Sequence, residues 1–220
     1  MGRILILVEG QTEERFVKDV LNPIFDKGAL FLIPTIITTK VVKNGPNFKG
    51  GVNSYTAIKK DTQRLLRDSD VLAVTTMLDY YGLPTDFPNW SSSGSCYDKV
   101  KAAEKAFAED INHEKFIPYL QLHEFEGLLF SIPTVISDTM DRSKEAAVGS
   151  IRSQFGSPEE INQGEATHPS KRLLNLFPNY RKPLHGSLIA NRTGLDTVRS
   201  ACPHFNEWLT RLIGVASLST

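Results

Sequence analysis

Apolar residues along the first 130 positions of the chain follow two alternating rhythms. Arg3 to Val8 is an unbroken aliphatic and β-branched run, the pattern of a strand buried on both faces of a parallel sheet. Gly10 interrupts it, and from Thr12 the period lengthens: Phe16, Val20, Leu21 and Ile24 share one helical stripe, with Thr12 as candidate N-cap. A second β-rich stretch runs from Phe31 to Val42, and a Gly/Asn-rich loop occupies 43–53. Ser54 to Asp68 reads as an amphipathic helix with Ile58, Leu65 and Leu66 inward. Val71 to Leu78 is another buried strand, ending at Asp79, and a loop rich in Pro, Ser and Gly follows. Asp98 to Ile111 is helical, and Phe116 to Leu122 is a fourth strand that runs into a helix near His123 to Glu126.

Strands alternating with helices predict an α/β fold: a doubly wound, mainly parallel, Rossmann-like sheet in three layers. Beyond Pro133 the alternation stops. Helical pieces at Lys144–Phe155, Lys171–Leu176 and Asp196–Ile213 remain, separated by Gly and Pro loops. The expected organisation is an α/β domain over 1–132 with a helical extension, 133–220, packed on it. No internal repeat or low-complexity tract is present.

Length and composition change this picture little. The chain has 220 residues, 40% of them hydrophobic, enough for one substantial core. Its 25 basic and 25 acidic residues cancel, so total charge makes no case for a general polyanion surface, though a local basic groove is compatible with it. Cys96 and Cys202 lie far apart and in no ligand spacing, which suits a reducing compartment. No export signal is visible, and the apolar run at the start falls far short of the ~20 residues a membrane span needs. The expectation is a cytoplasmic protein without a membrane partner; oligomeric state is left open.

The chemistry lies at the strand ends, where sites form in open parallel sheets. Glu9 follows the first strand, Asp79 ends the third, and Glu124 with Glu126 follow the fourth. Glu13 lies one helical turn beyond Glu9. Like charges gathered at one edge repel unless a cation compensates, and all-oxygen ligands favour Mg2+ or Mn2+ over zinc. Such a set suits phosphoryl-ester chemistry. Each acid has a plainer explanation: Glu13, Glu124 and Glu126 as first-turn acids favoured by a helix dipole, Asp79 as a cap or turn residue. Glu9, directly ending a buried strand before a glycine, is the hardest to explain structurally. The turn at Gly10 is no phosphate loop, because neither GxxxxGK[ST] nor GxGxxG follows the strand.

At these residues the chain resembles a TOPRIM domain, the metal-binding module shared by topoisomerases, bacterial primases and overcoming-lysogenization-defect (OLD) nucleases. Val8-Glu9-Gly10-Gln11-Thr12-Glu13 matches the first motif of that family, Glu13 included. Leu78-Asp79-Tyr80-Tyr81-Gly82 matches its Asp-x-Asp motif in part, since Tyr81 stands where the second aspartate belongs. The whole chain looks more specifically like a bacterial TOPRIM-like family of unknown function related to the OLD nucleases. The marks of that family here are Val8-Glu9-Gly10, Asp79-Tyr80-Tyr81-Gly82-Leu83-Pro84, His123-Glu124-Phe125-Glu126-Gly127-Leu128-Leu129-Phe130 and Pro169-Ser170-Lys171-Arg172. The resemblance implies a TOPRIM-like fold and a nuclease-like protein, often encoded beside an ATPase in bacterial defence loci.

The resulting expectation is a Mg2+- or Mn2+-dependent phosphodiesterase acting on DNA or RNA. Glu9 and Asp79 are the expected metal ligands, with Glu13, Glu124 and Glu126 supplementary. Lys182 or Arg172 is expected to balance charge, and His123 is a candidate acid, base or ligand with packing as its plainer role. Lys171, Arg172 and Arg181 would grip phosphates while Tyr180 stacks a base; a solvated helix face is the alternative. Lys182, beside Pro183, is expected on a loop. Two rival readings remain: a non-catalytic, degenerate TOPRIM scaffold docking on an ATPase, favoured by Tyr81, and a small-molecule phosphohydrolase.

Overall fold

A computed structural model of the protein describes residues 2–25, 30–40, 48–49, 54–90, 93–162, 164 and 166–217. Strand β1 (Gly2–Val8) lies in the middle of a parallel sheet, between β2 (Leu30–Ile36) and β5 (Ala73–Asp79). A short pair, β3 (Thr38–Lys40) and β4 (Phe48–Lys49), runs antiparallel to one side. On the far side of β5 lie β6 (Phe116–Ile117) and β7 (Leu120–Gln121), both parallel to it. The expected mainly parallel α/β architecture is therefore present. Pro34 is tolerated because β2 is an edge strand, where a missing N–H breaks no central ladder.

The strand expected over 116–122 is interrupted, and the reason is local. Pro118 brings no N–H, and the ladder lapses at Tyr119. The buried hydroxyl of Thr76 fills the gap: it donates to the Tyr119 carbonyl at 2.8 Å and accepts from the Tyr119 N–H at 3.0 Å. The Leu120 N–H is taken by Glu104 Oε1 at 2.8 Å. A single threonine thus carries the pairing on to the strand end where Glu124 and Glu126 emerge.

Alternation along the strands sorts the core into two layers. Leu5 and Leu7 of β1, with Val74 and Leu78 of β5, face Ile58 of α3 (Tyr55–Leu65) and Val100, Ala103 and Phe107 of α4 (Cys96–Ile111). Ser54 and Ser95 cap these two helices through their side chains. Ile4, Ile6 and Val8 face the other way, onto α1 (Gln11–Phe16), its π-helical continuation Val17–Leu21, the short α2 (Asn22–Phe25) and the C-terminal helices. The first helix begins one residue before the expected cap: Thr12 is buried inside the first turn, and Glu13 reaches back instead to accept the Gly10 N–H at 2.9 Å.

The C-terminal segment forms the third layer. It contains α6 (Pro133–Met140), α7 (Glu145–Arg152), α8 (Pro169–Leu176), α9 (Ser187–Thr193), α10 (Leu195–Ala201) and α11 (Pro203–Ser217), after the short α5 (Glu126–Leu129). The helix expected over 196–213 is two, because Pro203 follows the break at Cys202. Trp208 of α11 stacks on Tyr119 with ring centroids 4.3 Å apart, and its Nε1 donates to Thr75 Oγ1 of β5 at 2.9 Å. One apolar cluster crosses the 132/133 boundary, so the extension completes the fold. The loop expected at 43–53 lies outside the described residues apart from Phe48–Lys49, as do residues 91 and 92 of the Ser-rich loop.

Candidate metal centre

Parallel pairing sets Val8 opposite Met77, so the chain leaves β1 beside the last residues of β5. Glu9 and Asp79 therefore meet as neighbours: the Asp79 N–H donates to Glu9 Oε2 at 3.2 Å. The turn Tyr80–Gly82 then passes over Glu9, and a Cβ on Gly82 would lie 3.5 Å from Glu9 Oε1. Asp79 Oδ1 accepts the Phe125 N–H at 2.8 Å, which ties the end of β5 to the turn after β7. Glu126, 1% exposed, opens α5 at that turn.

The electrostatics follow from this crowding. Burial and the charges of Glu9, Glu13 and Glu126 hold Asp79 well above the usual carboxylate range. Glu13, 6% exposed, is pushed up to about 7, chiefly by burial, with Glu9 and Glu126 adding repulsion. Glu9 and Glu126 are raised as well, burial first, with Glu124 adding to both. Among the described residues the Lys182 ammonium opposes them. Lys182 Nζ donates to Glu126 Oε2 at 3.2 Å and lies 3.1 Å from Oε1 and 3.9 Å from Glu124 Oε1. Burial pulls the lysine down, but Glu126, Asp79 and Glu124 outweigh it, so it stays protonated.

Glu124 behaves differently from its neighbours. It accepts from His168 Nδ1 at 2.9 Å, the Ser170 N–H at 2.9 Å and the Ser170 hydroxyl at 3.1 Å. Burial raises its carboxyl, but Lys182 and these donors outweigh it and hold it below the usual range. Glu124 is thus a satisfied anchor for the start of α8. Ser170, His168 and Glu124 form no nucleophilic relay. Serine and carboxylate both contact the same ring nitrogen, Nδ1, whereas a relay needs one on each nitrogen.

The expected carboxylates Glu9, Glu13, Asp79, Glu124 and Glu126 converge, and Lys182 joins them. Lys182 does so from a π-helical turn, Lys182–Gly186, in place of the expected loop. His123 does not join: its ring faces Asn162, Nδ1 to Nδ2 at 3.1 Å, and burial lowers it to about 4, so it is neutral near pH 7. Tyr180 cannot stack a base, since it is 5% exposed; burial pushes its hydroxyl well above the ordinary range, and Glu126 and Glu124 push it further. Lys171 and Arg181 are exposed, while Arg172 binds the Thr167 carbonyl and lies over the Phe155 ring. Tyr81 packs its ring on His168, with centroids 5.2 Å apart. Sequence reasoning missed His168 and Ser170 as partners of Glu124; the signal was the Pro169-Ser170 step, a helix start whose first N–H groups need an acceptor.

Among the described residues no three His, Cys, Asp or Glu side chains are set as a ready metal cage. The donor chemistry nevertheless suits a hard divalent cation. The site offers only oxygen ligands, carboxyls whose burial and mutual repulsion resist ionisation unless positive charge is supplied. Glu9, Glu13, Asp79 and Glu126 are the residues that would hold such an ion.

The likeness to known proteins is of two kinds. The C-terminal region of the Burkholderia pseudomallei OLD protein superposes with a TM-score of 0.42 at 15% identity, over 94% of this chain and 98% of that one. That of the Xanthomonas campestris pv. campestris OLD protein gives 0.37 at 15%, over 100% and 99%. Both superpositions are too loose to transfer a residue's role. No curated protein matches the sequence. No described helix is long and apolar enough to cross a membrane. Residues 8–213 match a sequence family along nearly their whole length, and the chain belongs to that family, the domain of unknown function DUF4276.

Proposed function

We propose that this protein is a Mg2+- or Mn2+-dependent phosphodiesterase acting on DNA or RNA. One observation carries the reading: four buried or half-buried acids with raised pKa values, Glu9, Glu13, Asp79 and Glu126, share the carboxyl edge of a parallel sheet. Such an arrangement weakens the fold and has no structural use that a neutral residue would not serve better. A divalent cation, when bound, would supply the positive charge that phosphodiester cleavage requires.

The chain's own groups would do the rest. Glu9 and Asp79, locked by the bond between them, hold the edge in register. Lys182 brings a positive charge that can face a phosphate oxygen. Exposed Lys171 and Arg181 offer charge to a polyanion backbone without reading its sequence. The ATPase partner and the role in bacterial defence belong to this proposal and are to be tested with it.

The test is incubation of purified protein with Mg2+ or Mn2+ and either plasmid DNA or a structured RNA. Cleavage lost in Glu9→Gln and in Asp79→Asn is the expected result, and cleavage that survives both substitutions refutes the assignment. A second reading, a non-catalytic scaffold, is favoured by Tyr81, which occupies the place of the second aspartate and is spent on packing against His168. No Mg2+ or Mn2+ binding near millimolar concentrations would decide for it. Turnover of small phosphodiesters without a salt-dependent nucleic-acid affinity would instead indicate a small-molecule phosphohydrolase.

A further inference from the structure

Lys182 comes from the third layer of the fold, whereas the carboxylates it meets come from the sheet edge. Its main chain is held in place: the Arg15 guanidinium donates to the Pro183 carbonyl at 3.2 Å, and the Arg181 N–H to His185 Nδ1 at 2.9 Å. Its ammonium is spread over Glu126 and Glu124, 3.1 and 3.9 Å from the two Oε1 atoms. The partners differ in freedom. The Glu126 side chain is 1% exposed, while that of Lys182 is 41% exposed, so the lysine can leave for solvent by side-chain rotation alone. The pairing is also loosely aligned. Glu126 Oε1 has the ammonium at 3.1 Å but receives no well-directed hydrogen bond from it.

We propose that the Lys182 ammonium is the resident counter-ion of this acidic edge and that a divalent cation competes with it for Glu126 and its neighbours. Metal loading then releases the lysine. This rests on the metal-dependent reading above and adds a regulatory step to it: the metal-free protein holds its lysine in, and the loaded protein frees it to meet an anionic substrate. Two positive centres sharing one carboxylate within 3–4 Å repel strongly wherever the effective dielectric is near 20. Deleting the ammonium should therefore tighten metal binding by at least about tenfold.

The test titrates Mn2+ into metal-free wild type, Lys182→Met and Glu9→Gln at pH 8, with free Mn2+ read by electron paramagnetic resonance. The expected order is Lys182→Met tightest, wild type at least about tenfold weaker, and Glu9→Gln weakest. Equal or weaker binding by Lys182→Met overturns the competition and leaves the metal site standing. Absence of binding in all three proteins overturns both. A measurement on unaltered protein covers the case in which Lys182→Met does not fold. In wild type labelled with 13C-lysine, the Lys182 Cε resonance should move from an ion-paired to a solvent-exchanging position as Mg2+ is added. A resonance that stays put while Mg2+ binds refutes the release.

Discussion

Replacing Glu13 with glutamine should stabilise the metal-free protein, and should do so only above acidic pH. The folded protein holds this carboxyl at about 7, against an ordinary value of 4.5. Between those values the native state keeps a proton that the unfolded chain has released, so stability falls as pH rises through the window and levels off above it. At about 1.4 kcal/mol per pH unit, ionised Glu13 costs the fold roughly 3 kcal/mol at pH 8. Glutamine retains an oxygen for the Gly10 N–H, now 2.9 Å from the carboxylate, and cannot ionise. It also removes one of the charges that raise Asp79, which acts in the same direction. The expected gain at pH 8 is about 1–3 kcal/mol, or roughly 3–10 °C in Tm for a chain of this size. Urea unfolding of both proteins in EDTA at pH 4.5 and pH 8 measures it. A variant no more stable than wild type at pH 8, or one showing the same difference at both pH values, would refute the crowded-carboxylate account.

Three further outcomes follow from particular contacts. Thr76→Val keeps the shape of the side chain but removes both hydrogen bonds to the buried backbone of Tyr119; denaturant titration should show a loss of about 2–4 kcal/mol, and Thr76→Ser should recover most of it. Trp208→Phe should lose roughly 1–3 kcal/mol with the bond to Thr75, and its unfolding by far-UV dichroism and by fluorescence should remain one coincident transition; two separate transitions would show the third layer folding independently. The His123 imidazole, lowered to about 4 by burial, should stay neutral in NMR titrations from pH 5 to 8, and a midpoint near 6.5 would contradict its burial against Asn162.

Glu9, Asp79, Glu124 and Glu126 could be picked out in the sequence because each ends or follows an apolar run, and parallel strands place such ends on one edge. What each carboxylate does there was not legible. Glu124 and Glu126 are two residues apart in one motif, yet one is saturated by Ser170 and His168 and the other is met by the Lys182 ammonium. That difference is set by residues 44 and 46 positions away in sequence. Tyr180 looked like a surface aromatic because it sits among Arg181 and Lys182; packing of the third layer buried it.

Local sequence determined the order of strands and helices over the first 130 residues and the acids at the strand ends, since period, turn chemistry and strand-end position are properties of short windows. Tertiary structure alone decided the partners: that Thr76 repairs a strand broken by Pro118, that Trp208 fuses the C-terminal helices to the sheet, and that Lys182 closes over Glu126. Those contacts join residues between 43 and 133 positions apart. Nothing in a window of ten residues encodes which distant side chain will reach an unpaired oxygen. That is settled only when the layers pack and each buried polar group must find a partner or remain exposed to its neighbours' charge.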